Sequence, residues 1–298
     1  MSDRGHDALF WRKLAHWGAS KGPDWWVRYT PPVFGWAAAM LVPEARRAVI
    51  ANLRRVRGPV SPVRETREML ETFGTYASCL AEVLSNDAER NVGARAPRAT
   101  VYGERFFRAA LEQRRGIVLV TAHTGGWDAA GPLLARDFGL KVMMVMEPER
   151  DAAARDLHDE VRKRSGLAIT HVGEDPLASL PLMHHLRAGG IVALQLDRFV
   201  PGMRTRRVPL LDGMGEVPEG PLRLAQVTGA PLVPVFCART GFRDYLLRAF
   251  EPTMIPRRAD DAALDAAATR VAGAMTSFLR AHPTQWLKFT VDKPVGAV

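Results

Sequence analysis

From residue 100 onward, short apolar runs rich in β-branched residues alternate with stretches of helical pattern. Runs as continuous as GIVLVTA are typical of strands buried on both faces, and their alternation with helices is typical of a parallel sheet. The predicted strands are 116–122, 141–147, 167–172, 191–197, 231–238, 244–250 and 286–292. The predicted helices lie near 104–114, 127–137, 149–165, 176–188, 219–228 and 260–281. Because the last strands are less clearly separated by helices, we predict an α/β fold with a mixed, mostly parallel sheet flanked by helices.

Residues 1–60 differ in composition from the rest, because five of the seven tryptophans lie there among Arg and Lys. Aromatic rings beside cations suit a lipid headgroup region, although a helical hairpin that packs its tryptophans on the core is an alternative. The longest apolar run, 31–43, is shorter than the roughly 20 residues that a spanning helix needs. We therefore divide the chain into an N-terminal helical, membrane-contacting region (1–60) and an α/β domain (61–298), which opens with an amphipathic helix in 64–90.

The net charge of +9 favours acidic partners such as nucleic acid, anionic lipid or an acidic carrier protein. Charge alone supports nucleic-acid binding, so we do not predict it. Cys79 and Cys237 are far apart in the chain, and neither a metal-ligand spacing nor a phosphate or dinucleotide loop is present. We predict no metal and no cofactor.

His123 follows the first strong predicted strand, in the string HTGGWD that ends at Asp128. Ligands of open α/β sheets bind at the carboxyl ends of the strands. Gly125 and Gly126 permit a tight turn, which allows Asp128 to fold back towards the imidazole. A neutral His beside a carboxylate can take a proton from an alcohol that attacks a carbonyl, and backbone amides near the two glycines are candidate oxyanion donors. The alternative is a structural His before a capped helix.

Further charged groups lie at other predicted strand ends. Asp197 and Arg198 end one strand, and Glu219 and Gly220 precede a predicted helix. Each pair also has an ordinary structural explanation, as a salt bridge or as a helix-terminal carboxylate. An arginine cluster between them is suited to phosphate recognition, or is simply a solvated loop; its members are Arg204, Arg206 and Arg207.

HTGGWD resembles the H-x4-D/E motif of the lysophospholipid acyltransferase superfamily. The chain is more similar to the lipid A biosynthesis (lauroyl/myristoyl) acyltransferase family, which includes the mycobacterial phosphatidylinositol-mannoside acyltransferases. The resemblance runs from about residue 40 to 292 and includes ALQLDR at 193–198 and VPEGP at 217–221. It implies catalytic roles for His123, Asp128 and Asp197, without deciding which carboxylate contacts the imidazole. Taking these motifs and the arginine cluster together, we predict substrate contacts for Gly125, Gly126, Trp127, Arg198, Arg204, Arg206, Arg207, Glu219 and Gly220.

The resemblance implies an acyltransferase that moves a fatty acyl chain from a carrier-protein or coenzyme A thioester to a hydroxyl of a glycolipid or lysolipid. Family members that act on lipid A usually have an N-terminal spanning helix. This sequence has no such segment, so we expect a peripheral protein at the cytoplasmic face of the inner membrane. The alternatives are a lipid or thioester hydrolase of the same fold, with water as acceptor, and a non-catalytic lipid-binding protein. A serine-hydrolase elbow at 18–22 is not expected, because the preceding segment is not a strand.

Overall fold

The computed structural model describes residues 23–85, 96–146, 168–171, 179–199 and 202–291. Eight α-helices lie within them: α1 (Asp24–Leu41), α2 (Pro43–Arg57), α3 (Pro62–Leu84), α4 (Glu104–Glu112), α5 (Trp127–Phe138), α6 (Ser179–Arg187), α7 (Gly220–Thr228) and α8 (Asp261–Ala281). The strands there are β1 (Arg98–Tyr102), β2 (Ile117–Thr121), β3 (Val142–Met146), β4 (Ala168–His171), β5 (Ile191–Gln195), β6 (Thr205–Leu210), β7 (Gly213–Pro218), β8 (Leu232–Gly241) and β9 (Asp244–Ala249). The helix predicted near 149–165 falls outside the described residues.

Seven strands form one sheet in the order β1-β9-β8-β2-β5-β3-β4. Neighbours in this sheet run parallel, except that β8 and β9 are antiparallel. The strands β6 and β7 pair separately as an antiparallel hairpin. The predicted α/β fold with a mixed, mostly parallel sheet is therefore confirmed.

The sheet is covered by helices on both faces, as β2 illustrates. All five of its residues are buried. Val118 and Val120 pack into the cluster that includes α7 and α8, whereas Ile117 and Leu119 pack into the cluster that includes α4 and α5. Burial on both faces explains why the sequence of this strand is continuously apolar rather than alternating.

The helix α1 packs on α3 through a face of residues spaced four apart, Val27, Pro31, Gly35 and Ala39. The contact is close, since a Cβ atom on Gly35 would lie 2.5 Å from the Phe73 carbonyl oxygen. No helix among the described residues combines the length and hydropathy required to cross a bilayer. The predicted region boundary at residue 60 falls between α2 and α3, and the division itself stays a prediction.

The strand predicted at 286–292 is wrong over its described part. Trp286 makes an isolated bridge with Thr124, and 287–291 have no regular structure. The prediction missed β1 and the β6–β7 hairpin. Both have partly exposed, polar sequences that a search for apolar runs does not detect, because β1 lies at the sheet edge and the hairpin lies outside the sheet.

Candidate active site

The pairing of β2 with β5 brings His123 and Asp197 together. These strands are parallel neighbours in which Thr121 lies opposite Gln195. His123 and Asp197 each lie two residues beyond this pair, so both are at the same carboxyl edge of the sheet. This is the edge at which ligands of α/β sheets bind.

Three contacts within hydrogen-bond distance join the two residues. His123 Nδ1 lies 2.9 Å from Asp197 Oδ1, and the His123 backbone N–H lies 3.1 Å from each carboxylate oxygen. An ionised carboxylate can only accept hydrogen bonds, so Nδ1 carries the proton of the neutral ring. Nε2 is then the proton acceptor, which is the tautomer that a general base requires. Of the two carboxylates left open by the sequence, Asp197 is the one that binds Nδ1.

Asp197 is buried, with 3% of its surface exposed. Its Oδ2 accepts a hydrogen bond of 2.9 Å from the indole Nε1 of Trp286, and its backbone carbonyl accepts one of 3.0 Å from Lys288 Nζ. Burial by itself opposes ionisation of this carboxyl. Four groups outweigh burial and hold the pKa of Asp197 well below its ordinary value: the charge of the His123 imidazolium form, the ring N–H of His123, the Trp286 indole N–H and the Lys288 ammonium.

Replacement of Asp197 by Asn is expected to flatten the acid dependence of stability. A free Asp has a pKa of about 3.9. Below about pH 4, Asp197 therefore binds a proton in the unfolded state but not in the folded state, so the free energy of unfolding falls as the pH is lowered. The slope of the free energy of unfolding against pH should be steeper in the wild type than in Asp197→Asn, by up to about 1.4 kcal/mol per pH unit. Denaturant unfolding between about pH 3 and 5 measures both slopes. Equal slopes would show that Asp197 is not ionised in the folded protein below pH 4.

Gln285 and Tyr245 pack closely against the glycine turn that follows His123. A Cβ atom on Gly125 would lie 2.1 Å from Gln285 Oε1, and one on Gly126 would lie 2.3 Å from the Tyr245 ring. Gly126 also has a φ of +84°, which other residues adopt only with strain. Gly126 therefore requires glycine, whereas a side chain at Gly125 would have to displace the Gln285 amide.

The oxyanion role predicted for backbone amides near these glycines stays a prediction, although the two glycine N–H groups have partners inside the protein. The Gly125 N–H donates to the Gln285 carbonyl at 2.9 Å, and the Gly126 N–H bonds the Cys79 thiol. Burial raises the pKa of Cys79 to about 12, so this thiol stays protonated at neutral pH. Both glycines are themselves buried, and their substrate contacts stay predictions.

A buried polar cluster supports the same turn. Glu82 of α3 accepts hydrogen bonds from Arg239 Nε at 2.8 Å and from the Tyr245 hydroxyl. The Arg239 backbone N–H donates to Gln285 Oε1 at 2.9 Å. Helix α3, strands β8 and β9 and the segment after α8 thereby meet beneath Gly126.

The other motif residues begin α5. Trp127 is partly buried, and its ring meets the His123 ring edge-on at 5.3 Å between centroids. Asp128 lies in the first turn of α5, where the helix dipole favours a carboxylate. The catalytic role of Asp128 and the substrate contact of Trp127 stay predictions.

Arg206 and Glu219 contact one another. The Arg206 guanidinium lies 3.1 Å from Glu219 Oε1 and also pairs with Asp261 and Asp265 of α8, while Glu219 pairs with Arg223 of α7. Burial opposes ionisation of Glu219, but the two arginines lower its pKa. These contacts give Arg206 a structural role, tying the β6–β7 hairpin to α8.

The remaining predicted substrate residues are solvent-exposed: Arg198, Arg204, Arg207 and Gly220. Arg198 follows Asp197 directly, and Gly220 begins α7. Their contacts with substrate stay predictions. In the described part of the chain, no three His, Cys, Asp or Glu side chains converge as metal ligands.

Sequence reasoning did not identify Trp286, Lys288 or Glu82 as site residues. Trp286 and Lys288 are two positions apart in an extended segment, and this period of two was a signal that they share a side. For Glu82 no local signal existed, because its partners Arg239 and Tyr245 are far away in the chain.

Comparison with known proteins adds to this geometry. The family described as bacterial lipid A biosynthesis acyltransferase matches residues 8–290. A phosphatidylinositol mannoside acyltransferase of Mycobacterium tuberculosis is 30% identical over 183 residues, which are 60% of this chain and 54% of that protein. One from Mycolicibacterium smegmatis is 32% identical over 134 residues, 43% of this chain and 42% of that protein. The chain thus spans about half the length of the curated relatives it matches. Because the family match covers nearly the whole chain, from α1 through the strand ends that carry His123 and Asp197, the chain belongs to the bacterial lipid A biosynthesis acyltransferase family.

Proposed function

We propose that the protein transfers a fatty acyl chain from an acyl thioester to a hydroxyl group of a glycolipid or lysolipid. The observation that carries this proposal is the hydrogen bond between His123 Nδ1 and the buried Asp197 carboxylate, which leaves Nε2 as the proton acceptor. Family membership supports acyl transfer. The names of the mycobacterial relatives support a glycolipid acceptor.

In the proposed reaction, His123 Nε2 accepts the proton of the acceptor hydroxyl while the hydroxyl oxygen attacks the thioester carbonyl carbon. The new C–O bond gives a tetrahedral intermediate, and its collapse breaks the C–S bond. The imidazolium returns the proton to the leaving thiolate, so the ring ends neutral. Asp197 stabilises the imidazolium between these steps and keeps the ring in one tautomer. No covalent enzyme intermediate is required.

The proposed donor is an acyl carrier protein or acyl-coenzyme A. Both carry a phosphopantetheine group, whose phosphate oxygens suit guanidinium groups. Arg198, Arg204 and Arg207 are exposed, which supports a role in this contact or in binding a phosphorylated lipid headgroup. The net charge of +9 supports both an acidic carrier and an anionic lipid surface.

Purified protein incubated with an acyl thioester and lipid extract tests the proposal, with coenzyme A and carrier-protein donors in separate reactions. Mass spectrometry should detect lipid whose mass has increased by one acyl group. Free fatty acid formed at the same rate with and without acceptor would instead identify a hydrolase. A donor that is bound but never consumed would identify a lipid-binding protein.

We further propose that α1 lies on the membrane surface, at the cytoplasmic face of the inner membrane. The exposed side of α1 is the α1 apolar face, formed by Trp25, Trp26, Tyr29, Val33, Phe34, Trp36, Met40 and Leu41. Trp36 lies at its edge, beside Gly74 of α3. Exposed apolar patches of this kind mark interaction sites, and Trp and Tyr favour the lipid headgroup region. A groove beside it, lined largely by apolar residues of α1 and α3 that include Trp36, Val63 and Leu70, extends this surface.

The double variant Trp25→Ser/Phe34→Ser is expected to bind anionic lipid vesicles at least about tenfold more weakly. Each large apolar side chain contributes about 1.5–3 kcal/mol when fully buried, so partial insertion of two accounts for at least that factor. Cosedimentation with vesicles of phosphatidylcholine and phosphatidylglycerol measures the partition coefficient. The matched control is Tyr102→Ser, which removes a 54% exposed aromatic side chain from β1. Unchanged binding of the double variant, or an equal loss in the control, would contradict contact through α1.

A further inference from the structure

The segment Gln285–Lys288 runs alongside the turn that carries His123. The Gly125 N–H donates to the Gln285 carbonyl at 2.9 Å, and the Leu287 N–H donates to the His123 carbonyl at 2.7 Å. Thr124 and Trp286 form an antiparallel bridge between these two bonds. These contacts hold the backbone of Trp286 in register with the turn, and so they position its side chain relative to Asp197.

The Trp286 indole contacts the oxygen of Asp197 that does not face the imidazole ring. Its Nε1 lies 2.9 Å from Asp197 Oδ2, whereas His123 Nδ1 lies 2.9 Å from Oδ1. The His123 backbone N–H lies 3.1 Å from both oxygens, so without the indole the carboxylate keeps its contacts with His123 but loses the indole's restraint on Oδ2 against rotation about the Cβ–Cγ bond. Two side-chain donors on opposite oxygens determine its plane. The indole is 4% exposed, so its N–H must find a partner inside the protein.

Lys288 secures the backbone of Asp197 from the same segment. Its Nζ donates to the Asp197 carbonyl at 3.0 Å and lies 5.5 Å from the centroid of the Trp286 ring and 5.9 Å from that of Phe199. The lysine is itself buried, with 4% of its surface exposed. The segment therefore binds Asp197 twice, at its carboxylate and at its main chain.

We propose that Trp286 is a positioning residue for the reaction, orienting the Asp197 carboxylate so that Oδ1 faces Nδ1 of His123. This inference rests on the proposed function, because it assigns Trp286 a role in holding the proposed base. A purely structural role is the competing explanation, since Trp286 also belongs to the core cluster that contains Phe236. The two explanations differ in whether the effect of Trp286 passes through Asp197.

The variant Trp286→Phe removes the N–H donor and keeps an aromatic ring in the core. Loss of a group that orients a catalytic partner typically costs about 10–100-fold, as for the outer-shell partners of metal ligands. We expect kcat for acyl transfer to fall by about that factor with KM unchanged, because the donor acts on the base rather than on substrate binding. The core control is Phe236→Leu, which should lower the unfolding midpoint without a comparable loss of kcat.

A double-mutant cycle with Asp197→Asn separates positioning from packing. If Trp286 acts through Asp197, Trp286→Phe should change kcat/KM less than twofold in the Asp197→Asn background, although it has its full effect in the wild type. Phe236→Leu should have the same effect in both backgrounds. Additive effects of Trp286→Phe and Asp197→Asn, or a wild-type rate in Trp286→Phe, would overturn the proposal.

Two further measurements keep the outcome clear. If Trp286→Phe does not fold, Trp286→Tyr keeps a large ring while displacing the donor, and it should show the same loss of kcat and the same non-additivity. The single variants His123→Asn and Asp197→Asn are assayed first. Full activity in both would contradict the proposed catalytic pair itself, whereas reduced but measurable activity in both, together with additive Trp286 effects, would contradict only the positioning role.

Discussion

The variants His123→Ala and His123→Asn are expected to lower kcat/KM for acyl transfer by about a thousandfold, within the range that general base catalysis contributes. His123→Ala removes the whole ring. His123→Asn keeps an N–H group near the position of Nδ1, so the hydrogen bond to Asp197 is retained while the proton acceptor at Nε2 is lost. Both should be equally impaired if Nε2 is the base. Product formation measured by mass spectrometry gives the rates.

An exposed histidine provides the matched control for this experiment. His184 lies on the solvent side of α6, and His184→Ala should leave kcat/KM unchanged. Circular dichroism and the unfolding midpoint establish that the His123 variants are folded. A lost hydrogen bond and altered packing together would lower activity by only about tenfold. If His123→Asn keeps activity within about tenfold of wild type, Nε2 is not the base.

The variant Gly126→Ala is expected to lower the free energy of unfolding by about 3 kcal/mol or more, because two costs add. A left-handed conformation costs a non-glycine residue about 1–2 kcal/mol, and overpacking costs about 1–3 kcal/mol. Gly126 has a φ of +84°, and a new Cβ atom would lie 2.3 Å from the Tyr245 ring. Because Tyr245 is held by Glu82, the ring cannot move without breaking that hydrogen bond. Denaturant unfolding measures the loss.

Two other glycines separate these costs. Gly139 has a φ of +66° with no atom within 4 Å of the new Cβ position, so Gly139→Ala should cost only the conformational part, about 1–2 kcal/mol. Gly213 has neither a positive φ nor a close neighbour, and Gly213→Ala should change stability by less than about 0.5 kcal/mol. A Gly126→Ala loss no larger than that of Gly139→Ala would mean that the turn is not packed against Tyr245.

The sheet was largely predictable because its central strands are buried on both faces. Continuous apolar runs marked β2, β3, β5 and β8, and turn and helix patterns between them implied parallel connections. The same apolar pattern led to the wrong prediction of a strand at 286–292. Its sequence WLKFTV suits a strand, but its backbone bonds the His123 turn and its side chains serve Asp197, so it takes no place in the sheet.

The sequence by itself determined that a histidine, two glycines and an acid follow a buried strand, and that another acid ends a second strand. Local patterns carry that information, because strand periodicity and turn-forming glycines act over a few residues. Only the tertiary structure decided that Asp197 contacts Nδ1, since this depends on β2 and β5 being neighbours. It alone brought the Trp286 indole to that carboxylate, because hydrogen bonds between residues 89 positions apart follow from the packing of the whole fold.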